Sequence, residues 1–186
     1  YSPSVPVAPD AAVRLRGFLS ACQSHGVPCS SFHLSSGYTS SPAGRRYVFQ
    51  WNRDKFPEPA ALFEEFHRAG VALIPNIKPC LLDDHPAFEE VRAQGGFIHD
   101  AHSGQPVIEQ FWDGVGSHLD FTHPAVVAWW QKSLRSQVLD FGIDVGWNDN
   151  NEYAVMDDDA CCDGFGQQIP MHRSRPLHGL LMTRAS

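Results

Sequence analysis

Segments with helical periodicity alternate with short apolar runs along this chain, and that alternation restricts it to folds built from βα units. Apolar residues recur at helical spacing in 9–25, which ends before Gly26, and again in 57–69, which ends before Gly70. The apolar run 71–77 then predicts a buried strand followed by a loop. Strands that alternate with helices form parallel sheets covered by helices. We therefore predict an α/β fold with a parallel sheet.

The other predicted elements bring the total to three or four βα units. A complete eightfold barrel needs about 250 residues, so a chain of 186 residues is either part of such a barrel or a smaller open sheet. The segment beyond Glu152 shows no periodicity and is predicted to be irregular until a final helix from Arg175 onward. The remaining predictions are a strand at 27–34, a short helix at 86–94, two brief strands joined by a polar turn within 97–112, the strongest helix at 124–139 and a buried strand at 143–145.

The composition is that of a globular protein with an acidic surface. The chain is 42% hydrophobic and 19% charged, and its net charge is -7. Its basic residues are scattered, whereas a nucleic-acid surface needs clustered Lys and Arg. No apolar run reaches the roughly 18 residues that span a bilayer. We therefore expect neither a nucleic-acid partner nor membrane insertion, and the oligomeric state stays open.

The five cysteines predict buried, reduced side chains. Their number is odd and no two are spaced as in C-x-x-C, which argues against a disulfide framework and a zinc site. The first residues show neither a basic leader nor an apolar core, and no initiator Met is present. These features predict a cytoplasmic enzyme whose sequence is truncated here.

Acidic and aromatic residues crowd the segment that follows the predicted strand 143–145. Glycosidases typically use two carboxylates, about 5–5.5 Å apart when the enzyme retains configuration, and an indole face can pack on a sugar ring. The segment therefore suggests Asp149 as a nucleophile and Trp147 as a sugar-facing wall, with Glu152 orienting the site. The plainer alternative is an acidic surface loop with a helix cap.

The sequence contains no complete motif for a metal site, a serine hydrolase or a nucleotide-binding loop. Counted from Asp149, the EF-hand pattern fails at Tyr153. His99 and His102 lie on a polar turn without a third ligand nearby, and the acidic run 157–159 is typical of a solvated turn. Neither a serine-hydrolase elbow nor a phosphate or dinucleotide loop is present. We therefore predict no metal site and no cofactor.

Two further residues are candidates for sugar binding. Trp112 lies at a predicted strand end and is either a stacking platform or part of the core, whereas Trp130 on its helix is expected to be core. Lys78 follows the buried strand 71–77, at the strand end where α/β folds place their sites. It is either a ligand for substrate hydroxyls or an exposed loop cation, and its position favours the first.

Several motifs, in order along nearly the whole chain, resemble glycoside hydrolase family 31, the α-glucosidase family. Residues 147–152 are similar to its nucleophile signature, W-x-D-M-N-E. Upstream, its W-x-G, D-F-T-N-P and W-W motifs resemble 112–114, 120–124 and 129–130. The segments 35–38 and 47–56 resemble the strand and insertion that precede those motifs in the family.

The resemblance implies a (β/α)8 TIM barrel, of which this chain would supply about the first four βα units. Residues 1–186 would then form a partial catalytic barrel domain, truncated at both ends. The family cleaves α-linked sugars with retention and without a cofactor, which implies Asp149 as the nucleophile, with Asn151 and Glu152 as supporting residues. The family's general acid lies in a later loop and has no counterpart in this chain. The positions that match the family's sugar subsite are Ser35, Lys78, Trp112 and Trp147.

Two of these positions depart from the α-glucosidase pattern. Typical members carry Asp, which contacts glucose hydroxyls, where this chain has Ser35 and Lys78. A hydroxyl and a cation in place of two anions change the hydrogen bonds that distinguish sugars, so glucose specificity does not follow. Lys78 suggests an anionic or differently configured substrate. The alternatives are a transglycosylase with the same nucleophile and a non-catalytic carbohydrate-binding module that uses Trp112 and Trp147.

Overall fold

The computed structural model describes residues 4–186. The first three residues lie outside the described range; they belong to the segment in which no leader is predicted. None of the helices in 4–186 is long and apolar enough to cross a membrane.

Two 3₁₀ helices lie at Ser36–Thr39 and Leu139–Phe141. The α-helices are α1 Ala11–Ser24, α2 Pro59–Arg68, α3 Phe88–Ala93, α4 Pro124–Gln137 and α5 Met171–Ala185. The strands are β1 Ser31–Leu34, β2 Ala72–Ile77, β3 Cys80–Leu82, β4 His99–Asp100, β5 Glu109–Gln110, β6 Val115–His118, β7 Trp147–Asn148, β8 Ala160–Cys162 and β9 Ile169–Pro170.

The described chain divides into two compact units. The first contains the residues up to Ile77 together with Ser133–Trp147, and the second contains Lys78–Lys132 and Asn148–Ser186. Helix α4 and strand β7 each contribute residues to both units.

The first unit contains the predicted parallel strands. β1 and β2 pair in parallel, with Ser31 opposite Ala72 and Leu34 opposite Pro75, and β7 lies on the other side of β2. Leu73 and Ile77 are buried, as expected for a central strand that is covered on both faces. The prediction of a buried strand at 71–77 is therefore confirmed.

Helix α2 has the start, the end and the buried apolar face that its sequence pattern predicts. Pro59 occupies its first turn, where a missing N–H costs nothing, and Gly70 follows its end with a φ of 72° that favours glycine. Leu62, Phe63 and Phe66 form one buried face of the helix. The prediction of a helix at 57–69 is confirmed to within two residues.

The strands of the second unit pair antiparallel, in addition to the predicted parallel strands of the first unit. β3 and β5 both pair antiparallel with β6, and β4 and β9 both pair antiparallel with β8. A parallel pair needs a crossover of roughly a dozen residues or more, whereas β5 and β6 are separated only by the segment 111–114. Short connections of this kind favour antiparallel pairs.

Two local predictions were wrong, and a third was confirmed. The strand predicted at 143–145 is β7 at Trp147–Asn148, because Ile143 alone of that run is buried and Val145 is 47% exposed. The two brief strands predicted within 97–112 are present as β4 and β5, with an antiparallel bridge from His99 to Pro106 across the polar turn, although β4 also pairs with β8 and β5 with β6. The segment beyond Glu152 contains β8 and β9, two strands too short to show a period of two.

The last helix begins four residues before the predicted start at Arg175. α5 starts at Met171 and continues through Pro176, which lacks the N–H that would bond the carbonyl of His172. The prediction for Trp130 is confirmed, since this α4 residue is fully buried and packs edge-on against Phe121.

We expect Gly116→Ala to lower the free energy of unfolding by about 1–3 kcal/mol, because overpacking displaces backbone. A Cβ on Gly116 would lie 2.1 Å from the Leu81 carbonyl oxygen and 2.7 Å from the Leu82 Cα, both on the paired strand. Gly17→Ala is the matched control, since a Cβ there meets nothing within 4 Å in the middle of α1. It should stabilise the protein by about 0.5–1 kcal/mol. Urea unfolding of both variants measures the difference, and equal effects would contradict the close β3–β6 contact.

Candidate functional site

The loop after β7 holds two residues in the left-handed region. Asn150 has a φ of 55° and Tyr153 a φ of 52°, a conformation that Asn tolerates and that is costly for a bulky side chain. Tyr153 is fully buried and donates a hydrogen bond from its hydroxyl to the Leu119 carbonyl, at 2.8 Å. Burial raises the pKa of Tyr153 well above its usual value, so the hydroxyl keeps its proton. The tyrosine therefore anchors the loop that carries Asp149.

Lys78 and Asp149 form a partly buried ion pair. Lys78 Nζ lies 2.5 Å from Asp149 Oδ2 and donates a second hydrogen bond to Asn150 Oδ1, also at 2.5 Å. Their side chains are 15% and 31% exposed, respectively. An ion pair shielded from water in this way is stronger than a surface pair, because the effective dielectric constant is lower.

Trp112 covers the same lysine. Lys78 Nζ lies 4.4 Å from the centroid of the Trp112 ring, within the range of a cation–π contact. Trp112 is nonetheless 65% exposed, which rules out the alternative that it belongs to the core. The indole presents a broad apolar surface to solvent beside an ion pair.

A cavity of about 430 Å³ opens beside these residues in the second unit. One of its walls is a hydrogen-bonded pair that the sequence did not predict, in which His118 Nδ1 lies 2.9 Å from Glu109 Oε2. Glu109 also accepts a hydrogen bond from the Met156 backbone N–H, so its carboxylate is held in place. The residues that line the cavity are Glu109, Gln110, Phe111, Trp112, His118, Asn150, Glu152 and Ala154.

The two predicted supporting residues occupy the same loop. Glu152 is exposed and accepts a hydrogen bond from Asn150 Nδ2 at 3.3 Å. A Cβ on Gly179 of α5 would lie 2.8 Å from the Asn151 carbonyl oxygen, so the helix packs directly on the loop backbone. No sequence pattern predicted that Gly179 packs against this loop, because Asn151, which it contacts, lies in a distant segment.

Ser35 and Trp147 belong to the first unit. Ser35 follows β1 and precedes the 3₁₀ helix Ser36–Thr39, and Trp147 begins β7 with its ring centroid 6.0 Å from that of His33. The structure thus brings Lys78, Trp112 and Asp149 together in the second unit.

The environment of Cys80 argues against a cysteine nucleophile at this site. Cys80 lies two residues after Lys78, but burial raises the pKa of its thiol to about 12, and the nearby Lys78 charge only partly opposes that rise. The thiol therefore stays protonated and unreactive near neutral pH. Among the described residues in contact with Lys78, the group suited to nucleophilic chemistry is the Asp149 carboxylate.

Comparison with known proteins identifies relatives of this site. The family model for the glycosyl hydrolases family 31 TIM-barrel domain matches residues 10–186. The α-xylosidase XylQ of Lactiplantibacillus pentosus is 26% identical over 81% of this chain and 19% of its own length. The lysosomal α-glucosidase of Bos taurus is 32% identical over 58% of this chain and 12% of its own length. The chain therefore spans a fifth or less of these relatives.

Among solved structures, a family 31 α-xylosidase from a soil metagenome, complexed with xylose, superimposes with a TM-score of 0.80. The two chains are 16% identical, and the match covers 96% of this chain and 25% of that enzyme. This similarity confirms that the fold is part of a TIM barrel.

We expect a double-mutant cycle of Lys78→Met and Asp149→Asn to give a coupling free energy of about 1–3 kcal/mol. Either single change removes one charge of this pair and leaves the other partly buried, whereas the double variant removes both charges. The exposed pair of Arg68 and Glu64 on α2 is the matched control, with an expected coupling of about 0.3–0.5 kcal/mol. Urea unfolding measures both cycles, and similar coupling in the two pairs would contradict the shielding of the Lys78–Asp149 pair.

Proposed function

Because the chain belongs to glycosyl hydrolase family 31, we propose that it forms part of the catalytic barrel of a retaining glycosidase that cleaves α-linked sugars, with Asp149 as the nucleophile. The proposal concerns a larger protein, since this chain spans a fifth or less of its relatives. The general acid and base come from outside the chain, and the reaction needs no cofactor.

The observation that carries this proposal is the contact of Asp149 with Lys78, beside the exposed Trp112 and the cavity. A carboxylate at the edge of a cavity can reach an anomeric carbon, and an exposed indole can pack against the C–H face of a sugar ring. Asn151 and Glu152 support the loop, while Ser35 and Trp147 are proposed as further substrate contacts.

The proposed reaction has two displacements. In the first, the Asp149 carboxylate forms a bond to the anomeric carbon as the bond to the leaving oxygen breaks, and the external acid gives that oxygen its proton. In the second, the same external group removes a proton from water, whose oxygen attacks the anomeric carbon and releases the carboxylate. Two inversions restore the original configuration.

Lys78 acts chiefly on the second displacement in this scheme. Asp149 is neutral while it is bonded to the sugar and regains its negative charge as that bond breaks. An ammonium group 2.5 Å from one of its oxygens stabilises the departing carboxylate. The same contact holds the anion before the first step, where it lowers the nucleophilicity of the carboxylate. Lys78 therefore slows the first displacement and accelerates the second. This role is separate from the hypothesis that Lys78 recognises an anionic substrate.

One observation favours a second candidate function. Trp112 is 65% exposed, so its ring can stack on a sugar even in a protein that catalyses no reaction. A carbohydrate-binding module of that kind would need the Trp112 surface but would not need the Asp149 carboxylate, so the two functions separate in a single experiment.

We expect the full-length protein to form a covalent adduct on Asp149 when incubated with a panel of 5-fluoro-glycosyl fluorides. The fluorine slows the second displacement, so the intermediate accumulates and mass spectrometry locates it. Asp149→Asn should abolish the adduct, and Asp144→Asn, an exposed acid nearby in sequence, should not. A label on another carboxylate would overturn the assignment. Sugar binding that survives Asp149→Asn, without turnover by the wild type, would favour the binding module.

We expect Lys78→Met to lengthen the lifetime of that adduct by about 10–100-fold, the effect of losing a charged hydrogen bond worth about 1.5–3 kcal/mol. Lys132→Met on the exposed face of α4 is the control and should leave the lifetime unchanged. The same variant tests the substrate hypothesis. If Lys78 recognises an anionic group, the ranking of anionic over neutral substrates will fall, whereas an unchanged ranking leaves Lys78 with the role in catalysis alone.

A further inference from the structure

A second polar cluster lies in the second unit, among residues that the proposed reaction does not use. It consists of Asp120 before α4, Cys162 at the end of β8 and His178 on α5. All three are fully buried, and one oxygen, sulfur or nitrogen atom from each lies within 4.8 Å of the other two. Three groups that ligate metals thus meet in a place that apolar side chains would otherwise fill.

His178 lacks the partners that a buried polar side chain requires. Neither ring nitrogen has a hydrogen-bond partner among residues 4–186, although the side chain is completely buried. The ring stacks on Tyr153 with centroids 4.7 Å apart, which fixes its plane but satisfies no nitrogen. An unpaired buried polar group costs about 1–3 kcal/mol, so its presence calls for a ligand. The imidazole nitrogen that points into the cluster is a metal ligand by its chemistry.

The other two residues are already oriented by their neighbours. Asp120 Oδ1 accepts hydrogen bonds from the backbone N–H and hydroxyl of Thr122, at 2.9 and 2.6 Å, and its Oδ2 accepts one from the Asp163 N–H. Cys162 Sγ lies 3.4 Å from the hydroxyl of Ser174 and 3.5 Å from the Ile169 carbonyl oxygen. Such outer contacts hold metal ligands in position and are typical of metal sites. Carboxylate oxygens keep lone pairs for a cation while they accept these bonds.

We propose that Asp120, Cys162 and His178 bind one Zn²⁺ ion. A thiolate, an imidazole and a carboxylate are together the donor set of zinc, whereas calcium and magnesium take oxygen ligands. Zinc lies about 2.0–2.3 Å from such ligands, a range that three ligand atoms within 4.8 Å of one another can meet around one ion. Cys162 loses its thiol proton to solvent as the zinc–sulfur bond forms, and the hydroxyl of Ser174 can then donate to the thiolate.

Charge balance supports a divalent ion. A thiolate and a carboxylate carry two negative charges, and a buried charge is tolerated only when it is paired or coordinates a metal. One Zn²⁺ with a neutral imidazole makes the cluster neutral. The ion would join the segment before α4 to strand β8 and helix α5, and so would stabilise the fold. This inference is independent of the proposed glycosidase activity.

Metal analysis of the full-length protein tests the proposal. The protein is freed of metal with a strong chelator, and Zn²⁺ or Co²⁺ is then added back alone. We expect one equivalent of zinc to bind, a higher melting temperature with zinc, and a thiolate-to-cobalt charge-transfer band in the near ultraviolet with Co²⁺. Cys162→Ser should abolish the band and weaken zinc binding by at least about a hundredfold.

Cys161→Ser is the matched control, because Cys161 is the adjacent buried cysteine and is not part of the cluster. It should keep the cobalt band and the zinc affinity. Wild-type protein that binds no zinc, or a cobalt complex without a thiolate band, overturns the proposal even if the Cys162 variant fails to fold. A band that survives Cys162→Ser also overturns it. Because the readouts are metal content and spectrum, failure here leaves the trapping of Asp149 untouched.

Discussion

The geometry of the candidate site depends on one buried tyrosine. Tyr153 adopts a left-handed backbone conformation, is completely buried, and donates its hydroxyl proton to the Leu119 carbonyl. Its ring centroid lies 5.0 Å from that of His118 and 4.7 Å from that of His178. Because Tyr153 ends the loop that carries Asp149 and Asn150, its packing determines where those side chains lie. The strain of the loop is offset by this packing, as is usual where unusual backbone conformations occur at functional sites.

The loop that Tyr153 anchors has polar contacts that bear on the proposed chemistry. Asn150 accepts a hydrogen bond from Lys78 with its amide oxygen and donates one to Glu152 with its amide nitrogen, so both ends of the amide are assigned. Lys78 is thereby held by two acceptors and by the Trp112 ring. A lysine with so many constraints loses little further side-chain entropy when substrate binds. Its charge is consequently directed at Asp149 before any sugar arrives, which is the preorganisation that electrostatic catalysis requires.

Sequence alone predicted the elements whose signals are local. The helical stripe in α2, the parallel β1–β2 pair and the buried strand 71–77 follow from apolar spacing and glycine stops. The strand at 143–145 was misplaced because a short apolar run does not reveal which of its residues are buried. The pairing of β8 and the approach of Gly179 to Asn151 join segments far apart in sequence, where no periodicity exists. Lys78 and Asp149 were placed in the site by their positions after predicted strands and by the family resemblance, whereas the Glu109–His118 pair was missed.

The charges around the cavity favour a substrate that becomes positive as it reacts. Glu109 and Glu152 line the cavity, and none of the other described lining residues is Lys or Arg. Glu109 is paired with His118, and Lys78 is already engaged by Asp149 and Asn150. An oxocarbenium-like transition state develops positive charge at the anomeric carbon, and acidic walls stabilise that charge as it forms. An anionic sugar would experience repulsion from the same walls. Within the proposed function, Lys78 is therefore better explained by its contact with the proposed nucleophile Asp149 than by recognition of an anionic sugar.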